Sequence, residues 1–403
     1  MASISVTDTA AKKRYDYLDN LKVLLTCLVI AHHTSQAYGP TGGEWVYHNA
    51  NGTADWLGNF MAVNAAFFMG LFFMISGYFI PQSFTGRTTA CFISQKAKRL
   101  LLPVLLIMTV IVPVYFYLAA NFHAQTHIGF IDYYIHTYLG TWIVTYEHGW
   151  YMVNLFLYAL AYAVIMRFFK VKENKRCRAF RVWYLFALAA AVGVLSFFTR
   201  MIFPIDTWIN LFGVIGMEPA HVPQYVLFFA AGILAFRHRF FENLPKRVGF
   251  ITFSAGVVMA AVIYLSDVSF IRAAMSVIWD SWAFYEAFMA VFLSVGLIVV
   301  FRELCSQSNG IMRLLARCAF GAYVIHNLFV VSFQLLFDQV RFGASWKFVC
   351  VSVLSIFASF LAAWLAVRVL QKIKKIKAKT PDARFEKQSD AGDKSDFVTT
   401  RQG

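Results

Sequence analysis

Residues 100–120 read LLLPVLLIMTVIVPVYFYLAA, a run that contains no charged residue. About 20 apolar residues is the length of helix that crosses the hydrocarbon core of a bilayer. The basic residues Lys96, Lys98 and Arg99 come directly before this run. Because basic residues of short connections stay on the cytoplasmic side, the stretch predicts a transmembrane helix that begins inside the cell.

The same pattern recurs along the chain, and it predicts an all-α, polytopic membrane helix bundle with about ten transmembrane helices. The predicted spans are 21–38, 60–80, 100–120, 149–169, 182–199, 222–236, 250–267, 282–301, 319–337 and 347–370. The composition agrees, since 59% of the residues are hydrophobic and only 14% are charged. Soluble domains are about a quarter charged.

The distribution of basic residues predicts the topology. With the N-terminus inside and the connections alternating, 32 of the 36 Lys and Arg residues fall inside. The other four, Arg200, Arg272, Arg341 and Lys347, fall outside. The net charge of +15 is therefore attributed to the positive-inside rule and not to nucleic-acid binding. We expect an integral protein of the bacterial inner membrane, with both termini cytoplasmic.

Three parts of the chain are expected. Residues 1–20 form a cytoplasmic N-terminal segment, 21–370 the membrane domain, and 371–403 a basic, disordered cytoplasmic tail. The six cysteines form no C-x-x-C pair, so we expect neither disulfides nor a metal site.

Two histidines, His32 and His33, stand out in the first span, because ionisable groups inside a membrane are expensive and usually functional. Lys22 lies eleven residues before His33, which is about 16 Å along a helix and within about 20° of whole turns. Lys22 and His33 therefore share one face, and His33 is predicted near the bilayer centre. It suits a general base, or else a core histidine that is hydrogen-bonded to a neighbouring helix. His32 points about 100° away, and the structural role suits it better.

Small residues and a basic cluster follow. The second span ends in FFMISGY at 72–78, where Ser76 and Gly77 allow a ligand or another helix to approach closely. Arg87, Lys96 and Arg99 then suit a phosphorylated cytoplasmic ligand. Helix packing explains the first feature equally well, and the positive-inside rule explains the second.

Other polar residues have weaker patterns. His148 and Trp150 open the fourth span, His326 lies within the ninth, and Glu286 within the eighth. Each is also explained as a polar group in a helix contact. The outside loops carry aromatic and polar residues suited to sugars, among them Glu44, Trp45 and Trp142.

Taken together, four strings resemble the acyltransferase-3 superfamily of integral membrane O-acyltransferases over about residues 14–370. They are Asp19 with Lys22 and then His33, the Phe-Phe-x-x-Ser-Gly string that ends at Gly77, Lys96-x-x-Arg99, and Ala322-Tyr-Val-Ile-His326. The close spacing of Asp19 and His33 and the string His148-x-Trp150 are most similar to the glucan succinyltransferase branch. Lys22 and Lys96 stand where the family usually has Arg, so the bidentate fork of the guanidinium is lost there.

This resemblance implies an O-acyltransferase that moves an acetyl or succinyl group from cytoplasmic acyl-CoA to a hydroxyl of a surface glycan or lipid-linked acceptor. Acyl-CoA is then a co-substrate, with no bound cofactor, and the lipid bilayer and acceptor are the other partners. His33 maps onto the essential histidine and serves as a base or an acyl relay. Donor contacts are expected from Lys22, Ser76, Gly77, Arg87, Lys96 and Arg99, and acceptor or supporting roles from Asp19, His148, Trp150 and His326.

Two alternatives come from other classes. A secondary transporter of a small anionic solute would also have many helices and a membrane histidine, but it would show paired inverted repeats, which the sequence lacks. A sensor or scaffold without turnover is the third interpretation. Only the enzyme would transfer or hydrolyse acyl-CoA.

Overall fold

The computed structural model describes residues 14–41, 45–140, 145–169, 178–211, 215–265 and 281–377. The expectations for Glu44, Trp142 and the tail beyond Lys377 lie outside these residues. Within them the chain is almost entirely helical.

The long helices are joined by short connections and one small hairpin. The α-helices are α1 (Asp16–Ser35), α2 (Trp56–Phe84), α3 (Thr89–Leu106), α4 (Val112–Phe122), α5 (Phe130–Asp132), α6 (Trp150–Phe168), α7 (Trp183–Ile202), α8 (Val222–His238), α9 (Phe240–Asn243), α10 (Lys246–Tyr264), α11 (Trp282–Leu304), α12 (Gly310–Leu336) and α13 (Ala344–Lys377). Shorter turns are π-helical at Ile107–Ile111 and Tyr133–Leu139 and 3-10 at Glu147–Gly149 and Pro219–His221. The antiparallel hairpin pairs β1 (Ile209–Leu211) with β2 (Ile215–Met217), and Ile209 lies opposite Met217.

Nine helices in the described part of the chain are long and apolar enough to cross a membrane. They coincide with nine of the ten predicted spans and confirm the polytopic helix bundle. The remaining predicted span, 21–38, falls on α1, which is 20 residues long but is not among the nine. Asp19, Lys22 and the two adjacent histidines reduce the apolar character of α1.

The first residues of the predicted C-terminal tail are described by the structure. Residues 371–377 continue α13 as a helix. The apolar Ile373 and Ile376 lie among the lysines of this stretch, three residues apart and therefore close to one face of the helix.

The polar helix α1 lies in the middle of the bundle and contacts α2, α11, α12 and α13. Near its start, the buried Asn20 donates hydrogen bonds to the carbonyls of Cys305 and Gln307, at 2.9 and 3.2 Å. Ser308 donates to Asn20 at 2.7 Å. These bonds fix the beginning of α1 against the connection between α11 and α12, and so set the height of every residue further along α1.

Helices α2 and α8 pack with their backbones in close contact. A Cβ atom at Gly77 would meet the carbonyl of Phe229, and one at Gly232 would meet the carbonyl of Met74. Small residues allow such close approach of membrane helices. This contact fixes the position of the second half of α2.

Candidate active site

His33 lies in the last turn of α1, which ends at Ser35. Its neighbour His326 lies sixteen residues into α12, and α12 continues ten residues beyond it. The rings of the two histidines are 5.1 Å apart. His33 is therefore at the end of its own helix, but at the middle height of the longer helix beside it.

The hydrogen bonding of His33 defines its tautomer. Its Nδ1 lies 2.7 Å from Oε1 of Gln36, and an amide oxygen can only accept. Nδ1–H is therefore the donor, and the lone pair of the neutral ring is on Nε2. His33 is partly exposed, so a reactant can reach this ring. The arrangement is that of a base with one nitrogen oriented and the other available.

His148 and His326 complete a cluster of three imidazoles with His33. The rings of His148 and His326 are 4.8 Å apart, and both residues are buried. His326 Nδ1–H donates to the Tyr323 carbonyl at 2.6 Å, and its Nε2 has no hydrogen-bond partner among the described residues. The free lone pairs of His33 and His326 thus belong to adjacent rings.

Both ring nitrogens of His148 are occupied. Nε2–H donates to the Val324 carbonyl at 2.9 Å, and Nδ1 accepts from Nδ2 of Asn327 at 3.0 Å. The Tyr323 hydroxyl also bonds to the backbone carbonyl of His148. His148 is therefore a supporting residue that joins the start of α6 to α12. No group of three or more His, Cys, Asp or Glu residues among the described residues could hold a metal ion.

Of the predicted donor-binding residues, Lys22 is held near the start of α1 by Asp19. Lys22 Nζ lies 3.2 Å from Oδ1 of Asp19 and 4.6 Å from the centroid of Phe79. Asp19 also pairs with Arg14, at 3.1 Å. Arg99 interacts electrostatically with Lys22. Asp19 therefore holds the side chain of Lys22 near the start of α1.

The contacts shown for the other two basic residues are local. Lys96 lies over the ring of Phe92 at 5.3 Å. Arg87 is exposed and donates to the Ser83 carbonyl at the end of α2. Their place in donor binding stays a prediction.

A long-range electrostatic interaction, followed by a series of side-chain contacts, connects Arg99 with the histidines. Arg99 interacts electrostatically with Tyr151, whose hydroxyl lies 3.0 Å from Oγ of Ser76. The ring of Tyr151 is 5.9 Å from that of Tyr323, and Tyr323 is 5.7 Å from His326. Ser76 therefore lies on the route between the two groups. Tyr323 belongs to the string that ends at His326, but the sequence assigns no role to it or to Tyr151.

The prediction for Gly77 needs correction. α2 remains helical through Ser76 and Gly77, so there is no break to admit a ligand arm. The space beside the Cα atom of Gly77 is filled by the backbone of α8 at Phe229. Gly77 thus serves the helix contact that was the alternative explanation of the string.

Trp150 lies on the other side of His148, at the start of α6. It stacks on Tyr225 at 5.5 Å with an interplanar angle of 26° and meets Trp208 edge to face at 5.9 Å. Trp208 is about half exposed. Trp150 therefore joins the histidine cluster to an accessible aromatic surface.

A second buried polar centre was not predicted as a unit. Arg200 Nη2 lies 2.5 Å from Oε2 of Glu286, and Oε1 of Glu286 lies 3.2 Å from Nε2 of His221. Nδ1 of His221 lies 2.9 Å from Oε2 of Glu218. Burial raises the pKa of Glu218, but His221 and the backbone N–H of Asp206 more than offset this, and the net pKa is lowered.

The sequence contained a signal for this network. Glu286 is a lone carboxylate within an apolar span, and such a group needs a partner. In the sequence Arg200 stands out only as an outside charge, and His221 lies directly before a short predicted span. Their separation along the chain hides the pairing.

The fold and these centres define a polytopic membrane protein with a base-forming histidine cluster inside the bundle. A family model described as an acyltransferase domain matches residues 15–368, and the chain belongs to this acyltransferase-3 family. It is a membrane acyltransferase. A search of curated proteins and a search of solved structures found no match.

Proposed function

We propose that the protein transfers an acyl group, acetyl or succinyl, from acyl-CoA to a hydroxyl of a surface glycan or lipid-linked acceptor. The observation that carries this proposal is the tautomer of His33, with Nδ1–H held by Gln36 and Nε2 available. A hydroxyl is a poor nucleophile until a base removes its proton. The likeness of the first helix to the glucan succinyltransferase branch supports a glycan acceptor.

In the proposed step, Nε2 of His33 takes the proton of the acceptor hydroxyl while the oxygen attacks the thioester carbonyl carbon. A C–O bond forms, the C–S bond breaks, and the thiolate of coenzyme A leaves. The imidazolium of His33 returns its proton to that sulfur. No other reactant is required, and His33 is regenerated.

The donor enters from the cytoplasm in this proposal. Lys22 and Arg99 attract the phosphates of coenzyme A, and Arg87 and Lys96 add positive charge at the entrance. The pantetheine arm extends past Ser76 and Tyr151 to reach His33, about 16 Å beyond Lys22 along α1. The contacts that run from Ser76 through Tyr151 and Tyr323 to His326 support this path.

The acceptor approaches from the outside in this proposal, where Trp150 and Trp208 offer aromatic faces. That requires both termini on the cytoplasmic side of the bacterial inner membrane. A single cysteine at position 130 should react with an impermeant reagent from outside, and one at position 175 only from inside. Reaction of both from one side would overturn the topology.

Mass spectrometry of surface glycans and lipids tests the function directly. Glycans or lipids from cells that carry the wild-type gene should show an added acyl group. The added mass is about 42 Da for acetyl or about 100 Da for succinyl, and it should be missing from cells without the gene. Cells with His33→Gln at matched protein levels should resemble the deletion. Identical profiles in all three would refute the proposal. The family match lends no support to the transporter alternative.

A further inference from the structure

An indole ring lies against the imidazole of His33. Trp45 belongs to the connection between α1 and α2, and its side chain is buried. The two ring centroids are 5.5 Å apart and the planes are inclined by 23°, which is a stacked arrangement. The indole therefore contacts His33 through its aromatic face, whereas Gln36 contacts it through a hydrogen bond at Nδ1.

Trp45 is held in place by its own hydrogen bond. The indole Nε1–H donates to Oε1 of Gln334 at 2.9 Å. Gln334 is fully buried, and its Nε2 donates to the carbonyl of Thr34 at 3.4 Å. Since Thr34 is the residue after His33, one amide fixes both the indole and the turn that carries the imidazole.

The connection that carries Trp45 is fastened to the outer ends of α12 and α13. The Tyr47 hydroxyl donates to Oδ1 of Asp338 at 2.7 Å. Lys347, which has no exposed surface, donates to Oδ1 of Asn49 at 3.0 Å and to the Asp338 carbonyl at 3.3 Å. Burying an ammonium group is expensive, so this network indicates that the position of the connection matters.

Among the residues that the structure describes, the groups that face His33 include no negative charge. From its own helix His32 lies 5.9 Å away, from α12 His326 lies 5.1 Å away, and Gln36 contributes a neutral oxygen. Among the described residues no Asp or Glu forms an ion pair with it. A base that becomes positively charged here needs another source of stabilisation.

An aromatic face supplies such stabilisation. The negative potential above an indole ring attracts a cation, by about 0.5 to 2 kcal/mol and most strongly for Trp. Imidazolium is a flat cation that fits this face when the rings are stacked. This stabilisation acts only while His33 carries the proton. It therefore lowers the energy of the transition state without strengthening the binding of the substrates.

We propose that Trp45 is a positioning residue for His33, whose indole face holds the imidazole in register and stabilises the imidazolium formed during acyl transfer. This inference rests on the proposed function of His33 as the base. The proton comes from the acceptor hydroxyl, stays on Nε2 while the C–O bond forms, and leaves to the thiolate. Trp45 itself exchanges no atom.

The sharpest test keeps the shape of the indole and changes its electrons. Fluorinated tryptophans with one, two and three fluorine atoms are inserted at position 45, and kcat and the donor KM are measured on purified full-length protein. Each fluorine weakens the negative potential of the ring face. We expect kcat to fall stepwise, by about twofold to thirtyfold across the series, with KM unchanged.

Trp56 provides the matched control. It lies at the start of α2, and its Nε1–H donates to Oγ of Ser345 at 3.0 Å, but its ring contacts Phe348 instead of a histidine. The same series at Trp56 should leave kcat unchanged. Trp45→Phe, which keeps an aromatic face, should retain more activity than Trp45→Leu.

A flat kcat across the Trp45 series, with His33→Gln inactive, would overturn this inference alone. The indole would then only fill space. Loss of kcat in Glu44→Gln together with a flat Trp45 series would assign the stabilisation to that neighbouring carboxylate and also overturn the inference. An active His33→Gln would overturn the proposed function as well, so the two failures are distinguishable.

Discussion

Two histidines inside the helix bundle of this protein have opposite surroundings. His33 donates from one ring nitrogen to the neutral Gln36 and stacks on Trp45. His221 has a carboxylate oxygen close to each ring nitrogen, from Glu218 and from Glu286. Both lie inside the same helix bundle, so burial alone does not decide what a histidine does.

The hydrogen-bonding and ionic partners of each ring decide the role of the histidine. A ring with a carboxylate oxygen close to each nitrogen is stabilised in its doubly protonated form, which has no lone pair left to act as a base. With Arg200, it balances the two carboxylates, so the network is electrically neutral. The ring of His33 keeps its lone pair on Nε2. We therefore assign chemistry to His33 and structural support to His221.

The largest expected effect comes from His33→Gln. Glutamine keeps a hydrogen bond but cannot take a proton at neutral pH, so we expect acyl transfer to fall by about 10²- to 10⁴-fold. Thermal stability should stay close to wild type. The assay is release of free coenzyme A by purified protein with acyl-CoA and acceptor.

His32→Gln is the matched control for this prediction. His32 packs against Phe68, with ring centroids 5.1 Å apart, and lies about 100° around α1 from His33. His32→Gln should therefore lower acyl transfer less than His33→Gln does. An inactive His32→Gln beside an active His33→Gln would show that the wrong histidine of the pair has been chosen.

The ion network predicts a loss of folding stability instead. Glu286→Gln leaves Arg200 and His221 buried without their shared carboxylate, and breaking a buried ion pair from one side costs about 3 to 5 kcal/mol. The midpoint of thermal unfolding should fall clearly. Asp132→Asn, in an exposed pair with His136, should leave it unchanged, and equal midpoints for both variants would contradict the assignment.

The donor site should respond through binding. Replacing Lys96 and Arg99 together by Ala removes two charges from the proposed phosphate site and should weaken acyl-CoA binding by about tenfold or more. Calorimetry on the purified protein measures this. Lys98→Ala removes a neighbouring exposed charge as a control, and an unchanged affinity in the double variant would refute the donor site.

The smallest effect is expected from the support of His148. Asn327→Leu removes the donor to Nδ1 of His148, while the bond from Nε2 to the Val324 carbonyl remains. One neutral hydrogen bond is worth about 0.5 to 1.5 kcal/mol, so turnover should fall about two- to tenfold. A loss as large as that of His33→Gln would make His148 part of the chemistry and no longer a support.

The sequence predicted what is periodic or continuous. Apolar length gave nine of the spans, and the helical period placed Lys22 and His33 on one face. It overestimated the apolar character of α1 because the structure surrounds this helix with others, so that its polar residues need not face lipid. The family resemblance contributed His148 and His326, but not their hydrogen bonds.

Contacts between distant segments could not be predicted from one sequence. The turn that brings His148 to His326 and the connection that lays Trp45 on His33 depend on tertiary packing. Gly77 shows the same limit. Its string fits a ligand site or a helix contact equally well, and only the position of Phe229 on α8 decides between them.

The contrast between the two histidines is tested most directly by one paired measurement. His33→Gln and His221→Gln are expressed in the same membranes, and acyl transfer is divided by the amount of folded protein. We predict that His33→Gln is folded in wild-type amounts and inactive, whereas His221→Gln is less abundant but active for each folded molecule. Loss of activity only in proportion to lost folded protein in both variants would contradict the account.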